Sequence, residues 1–195
     1  KPGNSTCSMG SYPNGNIANT TPITVDEAKQ AVETYLKGLG DSDLELAEIM
    51  VFDNNAYARI VEKSTGIGAM ELLVDPASKV VFPEYGPNMM WNLKYGHMGR
   101  LGGMMGGMMG RSQNNSNLVD ATMSVTPQEA LQAAQNYLDQ EFPGYKTAAD
   151  ADPFYGYYTI DILKDGKVYG MLSVNGFSAE VFFHSWHGTF IEESD

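Results

Sequence analysis

The chain has 195 residues, 43% of them hydrophobic, and its 24 acidic and 12 basic side chains give a formal net charge of -12. Such a charge repels phosphate backbones and anionic lipid surfaces, so the composition argues against nucleic-acid binding and membrane-surface binding. No apolar run approaches the roughly 20 residues of a membrane-spanning helix, and the polar start predicts an exported, extracellular or cell-surface chain from which a signal peptide has been removed.

The first 22 residues are predicted to form an extended polar tail. Cys7 is the single cysteine, so an internal disulfide is excluded, and the thiol is either inert or available for an intermolecular disulfide. The sequons beginning at Asn4 and Asn19, with a third at Asn114, are candidate glycosylation sites, although an Asn/Ser/Thr-rich chain also produces such triplets by chance.

A helix is predicted to follow the tail, and its sequence recurs about 100 residues later. Residues 23–36 are echoed by residues 125–138, and both copies open with a capping box, Thr24 with Glu27 and Thr126 with Glu129. Apolar residues at helical spacing predict one buried stripe on each helix. The two glutamates are interpreted as caps, because no second carboxylate or histidine stands at a catalytic spacing from them. We therefore predict no enzymatic activity.

After each helix the apolar period changes to two, which is typical of half-buried strands. Strands are predicted over residues 44–52, 56–62, 69–74 and 79–82 of the first copy. In the second copy the alternation starts at Tyr158, Asp165 and Gly166 form a hairpin turn, and the last strand covers 179–184. The predicted fold is α+β, with two tandem repeats (23–86 and 123–195), each one helix packed on an antiparallel three- to four-stranded sheet.

Together these features resemble the PepSY family. The resemblance rests on the capped Thr-x-x-Glu-Ala helix, the tyrosine-rich strand, and a strand that ends in Asp75 or Asn175 before a serine-containing turn and a valine. Family members commonly carry glycine in that turn, where Lys79 and Ala179 stand here. The resemblance implies a non-catalytic, exported or membrane-associated interaction module of the kind found in protease propeptides, inhibitors and surface proteins, and it transfers no catalytic residue.

The segment between the repeats, residues 87–122, is rich in methionine and glycine and contains seven of the chain's 12 methionines. The methionines fit three interpretations: adaptable apolar filler on a domain or partner surface, thioether ligands for a soft ion such as Cu(I), or plain disorder. The candidate copper ligands are His97, Met98, Met104, Met105, Met108 and Met109.

The leading functional expectation is a non-enzymatic extracellular structural or interaction protein. Its sharper form is a filament or surface-layer subunit that self-associates head to tail through the tail and linker. The alternatives are an exported copper-binding protein and a protease-inhibitor-like PepSY module. His184 and His187 are interpreted as surface histidines, since a spacing of three on a continuing strand points them to opposite faces; a two-histidine metal site is the alternative if the chain turns.

Overall fold

The computed structural model describes residues 21–96 and 122–194. Its elements follow one another as α1 (Val25–Leu39), β1 (Leu44–Phe52), β2 (Ala56–Glu62), β3 (Gly68–Val74), β4 (Val81–Pro83), α2 (Pro87–Met90), α3 (Pro127–Glu141), β5 (Lys146–Thr147), β6 (Asp152–Phe154), β7 (Tyr157–Lys164), β8 (Lys167–Asn175), β9 (Val181–Phe183) and β10 (Phe190–Ser194).

Helices α1 and α3 begin at the two predicted capping boxes. The hydroxyl of Thr24 accepts a hydrogen bond from the backbone N–H of Glu27, whose carboxylate accepts from the backbone N–H of Thr24; Thr126 and Glu129 repeat the arrangement. The prediction that these glutamates are caps is confirmed. None of the helices in the described ranges combines the length and the apolar character needed to cross a membrane.

The predicted fold class is wrong. The ten strands of the described residues belong to one mostly antiparallel sheet in the order β10-β1-β2-β3-β6-β7-β8-β9, with β4 beside β3 and β5 beside β7. A parallel contact between Gly68 and Phe154 joins the two halves of the chain, so two separate sheets with a helix each do not form. The molecule is mostly β, and periodicity missed the single sheet because it reports which face of a strand is apolar and not which strands pair.

One face of the sheet is covered by the long helices. Ala28 and Val32 of α1 are fully buried with Ile49 and Val51 of β1. Around α3, a second apolar cluster joins Ala130, Ala134 and Leu138 to alternate residues of β7 and β8. These are the stripes that the helical spacing predicted.

The opposite face, called the inner face below, is also buried. Met50, Phe52, Tyr57, Leu73 and Met171 form an apolar cluster there. The sheet curls until Cα atoms of β10 come within 8 Å of β8, so the inner face encloses polar side chains as well: Glu71, Thr159 and Ser173 are at most 3% exposed. The expectation of half-buried strands is therefore wrong for this part of the sheet.

Candidate metal centre

Three side chains converge at one end of the inner face. Glu84 follows β4, and its backbone N–H donates to the carbonyl of Glu71 on β3; His184 follows β9, and its N–H donates to the carbonyl of Met171 on β8. The two residues thus occupy equivalent positions beyond two short edge strands. His187 joins them because the chain turns after β9.

The segment of residues 184–189, called the histidine loop, connects β9 to β10 and is held by the turn between β1 and β2. Asn54 donates to the carbonyl of Trp186 at 2.9 Å and accepts from the N–H of Gly188 at 2.8 Å. Asp53 accepts from the N–H of Thr189 at 2.9 Å. These contacts fix the loop backbone, so the two histidine side chains are positioned independently of any ion.

The potential ligand atoms of Glu84, His184 and His187 all lie within 4.8 Å of one another. Oε1 of Glu84 is 2.9 Å from Nε2 of His187 and 3.6 Å from Nδ1 of His184. The side chains are at most 1% exposed. The distances suit donors grouped around one small cation, since ligands about 2.0–2.1 Å from a zinc ion lie roughly 3–3.5 Å apart.

Three polar atoms of this cluster have no hydrogen-bond partner: Oε2 of Glu84, Nδ1 of His184 and Nε2 of His187. The 2.9 Å contact of His187 with Glu84 is close enough for a hydrogen bond but does not have the required angles. Buried polar atoms are almost always paired, and an unpaired one costs about 1–3 kcal/mol. Three of them on one cluster need a physical explanation.

The other ring nitrogen of His187 shows which protonation state the protein favours. Asn55 donates its amide N–H to the carbonyl of Trp186 at 3.2 Å, so its amide oxygen faces Nδ1 of His187 at 3.1 Å. Nδ1 must then carry the proton. Nε2 is then unprotonated and lies 2.9 Å from the carboxylate of Glu84 with no proton between the two acceptors.

A chain of hydroxyl groups likewise determines which ring nitrogen of His184 carries the proton. Thr159 donates to Glu71 at 2.7 Å, Ser173 lies 3.2 Å from Thr159, and Nε2 of His184 lies 2.9 Å from Ser173. Because the hydroxyl of Thr159 donates its proton to Glu71, the hydroxyl of Ser173 donates to Thr159 and accepts the Nε2–H of His184. Nδ1 of His184 therefore presents its lone pair to the cluster, and metal-ligating histidines are typically oriented by such outer partners.

Aromatic rings enclose the cluster. The ring of His187 stacks on Phe52 with centroids 4.4 Å apart, and the ring of His184 stacks on Trp186 at 4.8 Å. Trp186 also donates its indole N–H to Oε1 of Glu84 at 2.9 Å. This apolar shell excludes water and strengthens the electrostatic attraction of the carboxylate for a cation.

The charges in the core favour a cation. Burial and the nearby charge of Glu84 raise the pKa of Glu71, although Tyr57, Tyr157 and Thr159 all donate hydrogen bonds to its carboxylate. In the part of the chain that the structure describes, no lysine or arginine forms an ion pair with Glu71 or Glu84. A divalent cation would balance both carboxylates.

Without an ion, a proton on His184 can instead balance the negative charge of Glu84. Burial lowers the pKa of His184, but the carboxylate of Glu84 outweighs it and raises the pKa overall. Burial raises the pKa of Glu84, and the charge of His184 more than reverses this. Burial lowers the pKa of His187, which stays neutral. The 3.6 Å between His184 and Glu84 is too long for a hydrogen bond, so the proton is a poor substitute for an ion.

The structure places the sequence-predicted sites as follows. Three groups of predicted site residues lie outside the described residues. They are the proposed copper ligands His97, Met98, Met104, Met105, Met108 and Met109, the sequon residues Asn4, Asn19 and Asn114, and Cys7. The copper, glycosylation and intermolecular disulfide assignments stay predictions, as does self-association through the tail and linker.

His184 and His187 are not surface residues, and the interpretation that favoured this is wrong. It assumed a continuing strand, whereas β9 ends at Phe183 and the chain turns. Glu84 was missed altogether. A signal was present in the repeat: Glu84 follows Val81-Phe82 as His184 follows Val181-Phe182, which places a carboxylate and an imidazole at matched positions.

No protein-family model matches the chain, and the comparisons with curated proteins and with solved structures found no match either. The PepSY resemblance therefore stays a prediction.

Proposed function

We propose that this protein binds a divalent transition-metal ion through Glu84, His184 and His187. The observation that carries the proposal is the convergence of one buried carboxylate and two buried imidazoles, each with a polar atom that has no hydrogen-bond partner. Asn55 and Ser173 hold the facing nitrogens of the two imidazoles as lone-pair donors. Zinc is the first candidate, because imidazole nitrogen and carboxylate oxygen are among its ordinary ligands.

The ligand set also discriminates among ions. Two histidines and one carboxylate form the set that binds Fe(II) in non-haem iron proteins, which makes Fe(II) the second candidate. Cu(I) prefers sulfur, and the cluster offers none. This centre is thus distinct in chemistry from the copper site predicted in the methionine-rich segment.

Ion binding would connect parts of the chain that are far apart in sequence. Glu84 belongs to the first half, whereas His184 and His187 belong to the histidine loop of the second half. An ion shared by them would fix the loop against the end of β4 and remove the repulsion between facing lone pairs. The expected role of the ion is therefore to stabilise the folded molecule.

The test is a zinc titration of the metal-free protein in competition with a chromophoric chelator. We expect one zinc ion per chain. His187→Ala and Glu84→Gln should each weaken binding by more than about 100-fold, since loss of an outer partner alone typically costs 10- to 100-fold.

Two controls match these variants. Glu180→Gln changes an exposed glutamate of the same half, and His97→Ala removes the one histidine of the chain outside the cluster; both should bind zinc as the wild type does. Equal zinc affinity of the wild type, His187→Ala and Glu84→Gln would rule the centre out.

A further inference from the structure

Two tyrosines from different halves of the chain share one carboxylate. The hydroxyl of Tyr95 donates to Oε1 of Glu62 at 2.5 Å, and the hydroxyl of Tyr155 donates to Oε2 at 2.5 Å. Glu62 ends β2 and is 1% exposed, whereas both tyrosines are half-buried. Each phenol therefore has a proton acceptor at hydrogen-bond distance and belongs to a residue that solvent reaches in part.

The backbone around Tyr95 is docked on the second half of the chain. The N–H of Leu93 donates to the carbonyl of Tyr155 at 2.8 Å. The side-chain amide of Asn92 accepts the N–H of Tyr95 at 2.8 Å and donates to the carbonyl of Ala69 at 2.8 Å. The two tyrosine rings have centroids 6.2 Å apart and planes inclined by 51°, which is within the roughly 4.5–7 Å of neighbouring rings in contact.

The carboxylate of Glu62 is charged at neutral pH. Burial acts to raise its pKa, but hydrogen bonds from Lys94, Tyr155 and Tyr95 lower the pKa to about 2. The ammonium group of Lys94 also lies over the ring of Tyr155, 4.6 Å from its centroid. A phenol that loses an electron becomes a strong acid, so an ionised carboxylate at this distance can take its proton.

We infer that Tyr95 and Tyr155 are a site of oxidative cross-linking, where a one-electron oxidant joins the two rings as dityrosine and Glu62 accepts the phenolic protons. Each tyrosine loses one electron to the oxidant and its hydroxyl proton to Glu62, which passes that proton to solvent. The two radicals form a C–C bond between ring carbons ortho to the oxygens. The hydrogens of these carbons then move to the oxygens and restore the hydroxyl groups, so the net loss is two electrons and two protons.

The new bond would connect the halves of the chain beside the contact of β3 with β6, where Tyr155 follows Phe154. The cross-link does not involve the proposed ion or its ligands. It restricts the unfolded chain as a disulfide does, so the cross-linked protein should need more urea to unfold than the untreated protein.

A second tyrosine pair provides a comparison within the same molecule. The rings of Tyr145 and Tyr169 are closer together, with centroids 4.7 Å apart. The hydroxyl of Tyr145, however, accepts a hydrogen bond from Nζ of Lys164 at 3.1 Å. An ammonium group donates protons and accepts none. The comparison separates the effect of a proton acceptor from that of ring proximity.

The test is photo-oxidation of the full chain by tris(bipyridyl)ruthenium(II) with persulfate as the final electron acceptor, at a protein concentration that disfavours cross-links between molecules. We expect dityrosine fluorescence, a protein mass lower by two hydrogen atoms, and a cross-linked peptide pair that contains Tyr95 and Tyr155. Glu62→Gln keeps a hydrogen-bond acceptor but takes up no proton, so it should slow this cross-link at least about tenfold.

Tyr95→Phe and Tyr155→Phe should each abolish this peptide pair, whereas Tyr145→Phe, the matched control, should leave its yield unchanged. A cross-link between Tyr145 and Tyr169 in place of the expected one would overturn the inference. Equal cross-linking rates in Glu62→Gln and the wild type would overturn it as well. If Glu62→Gln fails to fold, the position of the cross-link in the wild type decides.

Discussion

Asp161 lies on the inner face of β7 among other acids. Burial, followed by the negative charges of Glu48, Asp152 and Glu193, raises the pKa of its carboxyl to about 8 against the opposing effect of Arg59. Arg59 is already engaged by Glu48 at 3.0 Å and by Asp152 at 2.8 Å. The carboxyl of Asp161 is therefore neutral near pH 7 and becomes a destabilising charge in alkaline solution.

The sign of the pH effect follows from this shift. Between the ordinary pKa of 3.8 and the folded value of about 8, the folded state holds a proton that the unfolded state has lost, so the free energy of unfolding falls as the pH rises. We expect Asp161→Asn to raise that free energy above pH 8 by at least about 1 kcal/mol, because one pKa unit corresponds to about 1.4 kcal/mol.

Urea unfolding of both proteins as a function of pH measures this difference. Asp165→Asn, at an exposed turn residue beside β7, is the matched control and should leave the pH profile unchanged. A profile of Asp161→Asn that runs parallel to that of the wild type would contradict the expected shift.

Thr159 and Asp161 illustrate why the candidate site was hard to predict. In the sequence they alternate with Tyr158, Ile160 and Ile162, which indicates a strand with one face in water. In the structure Thr159 is 3% exposed, because the sheet curls and encloses that face. Period-two patterning distinguishes two faces of a strand but does not show whether the polar face meets solvent or another part of the sheet.

Local signals predicted the elements well. The hydrogen-bonding groups of Thr24 and Thr126 located both helix starts, and Asp165-Gly166 located a hairpin whose two residues have φ of 52° and 77°. Strands β6 and β10 were not predicted. They are short and lack alternation. Strand β10 pairs with the distant β1, and β6 pairs with β7 and, through Phe154, with the distant β3.

The turns after β3 and β8 share an unusual backbone. Lys79 and Ala179 have φ of 60° and 59°, a conformation that costs a residue with a Cβ roughly 1–2 kcal/mol. Glycine adopts it readily because it has no Cβ. Asp75 and Asn175 compensate by accepting backbone N–H groups of the turn.

We expect Ala179→Gly to stabilise the protein by about 0.5–1 kcal/mol, because relief of the left-handed strain exceeds the entropy that glycine adds to the unfolded chain. Denaturant unfolding measures the change. Ala149→Gly, at an exposed position of ordinary φ, should instead be neutral or destabilising. Destabilisation of Ala179→Gly to the same extent as this control would show that the turn is not strained.

The two repeats seen in the sequence become parts of one structure through three kinds of contact. Gly68 pairs with Phe154 where β3 meets β6, and β10 from the end of the chain pairs with β1 from its first half. Tyr157 and Thr159 of the second half donate to Glu71 of the first. Each half therefore completes the sheet edge and the polar core of the other.

This continuity predicts that the described part of the chain unfolds as one unit. We expect a single calorimetric transition in the metal-free protein, with equal calorimetric and van't Hoff enthalpies. Zinc at about 100 times its dissociation constant should stabilise this whole transition by roughly 2.7 kcal/mol, because its ligands come from both halves. His187→Ala should keep the single transition and lose the zinc-dependent shift, while Glu180→Gln keeps both. Two transitions, with zinc shifting only one, would instead show that the halves fold independently and that the shared sheet contributes little coupling.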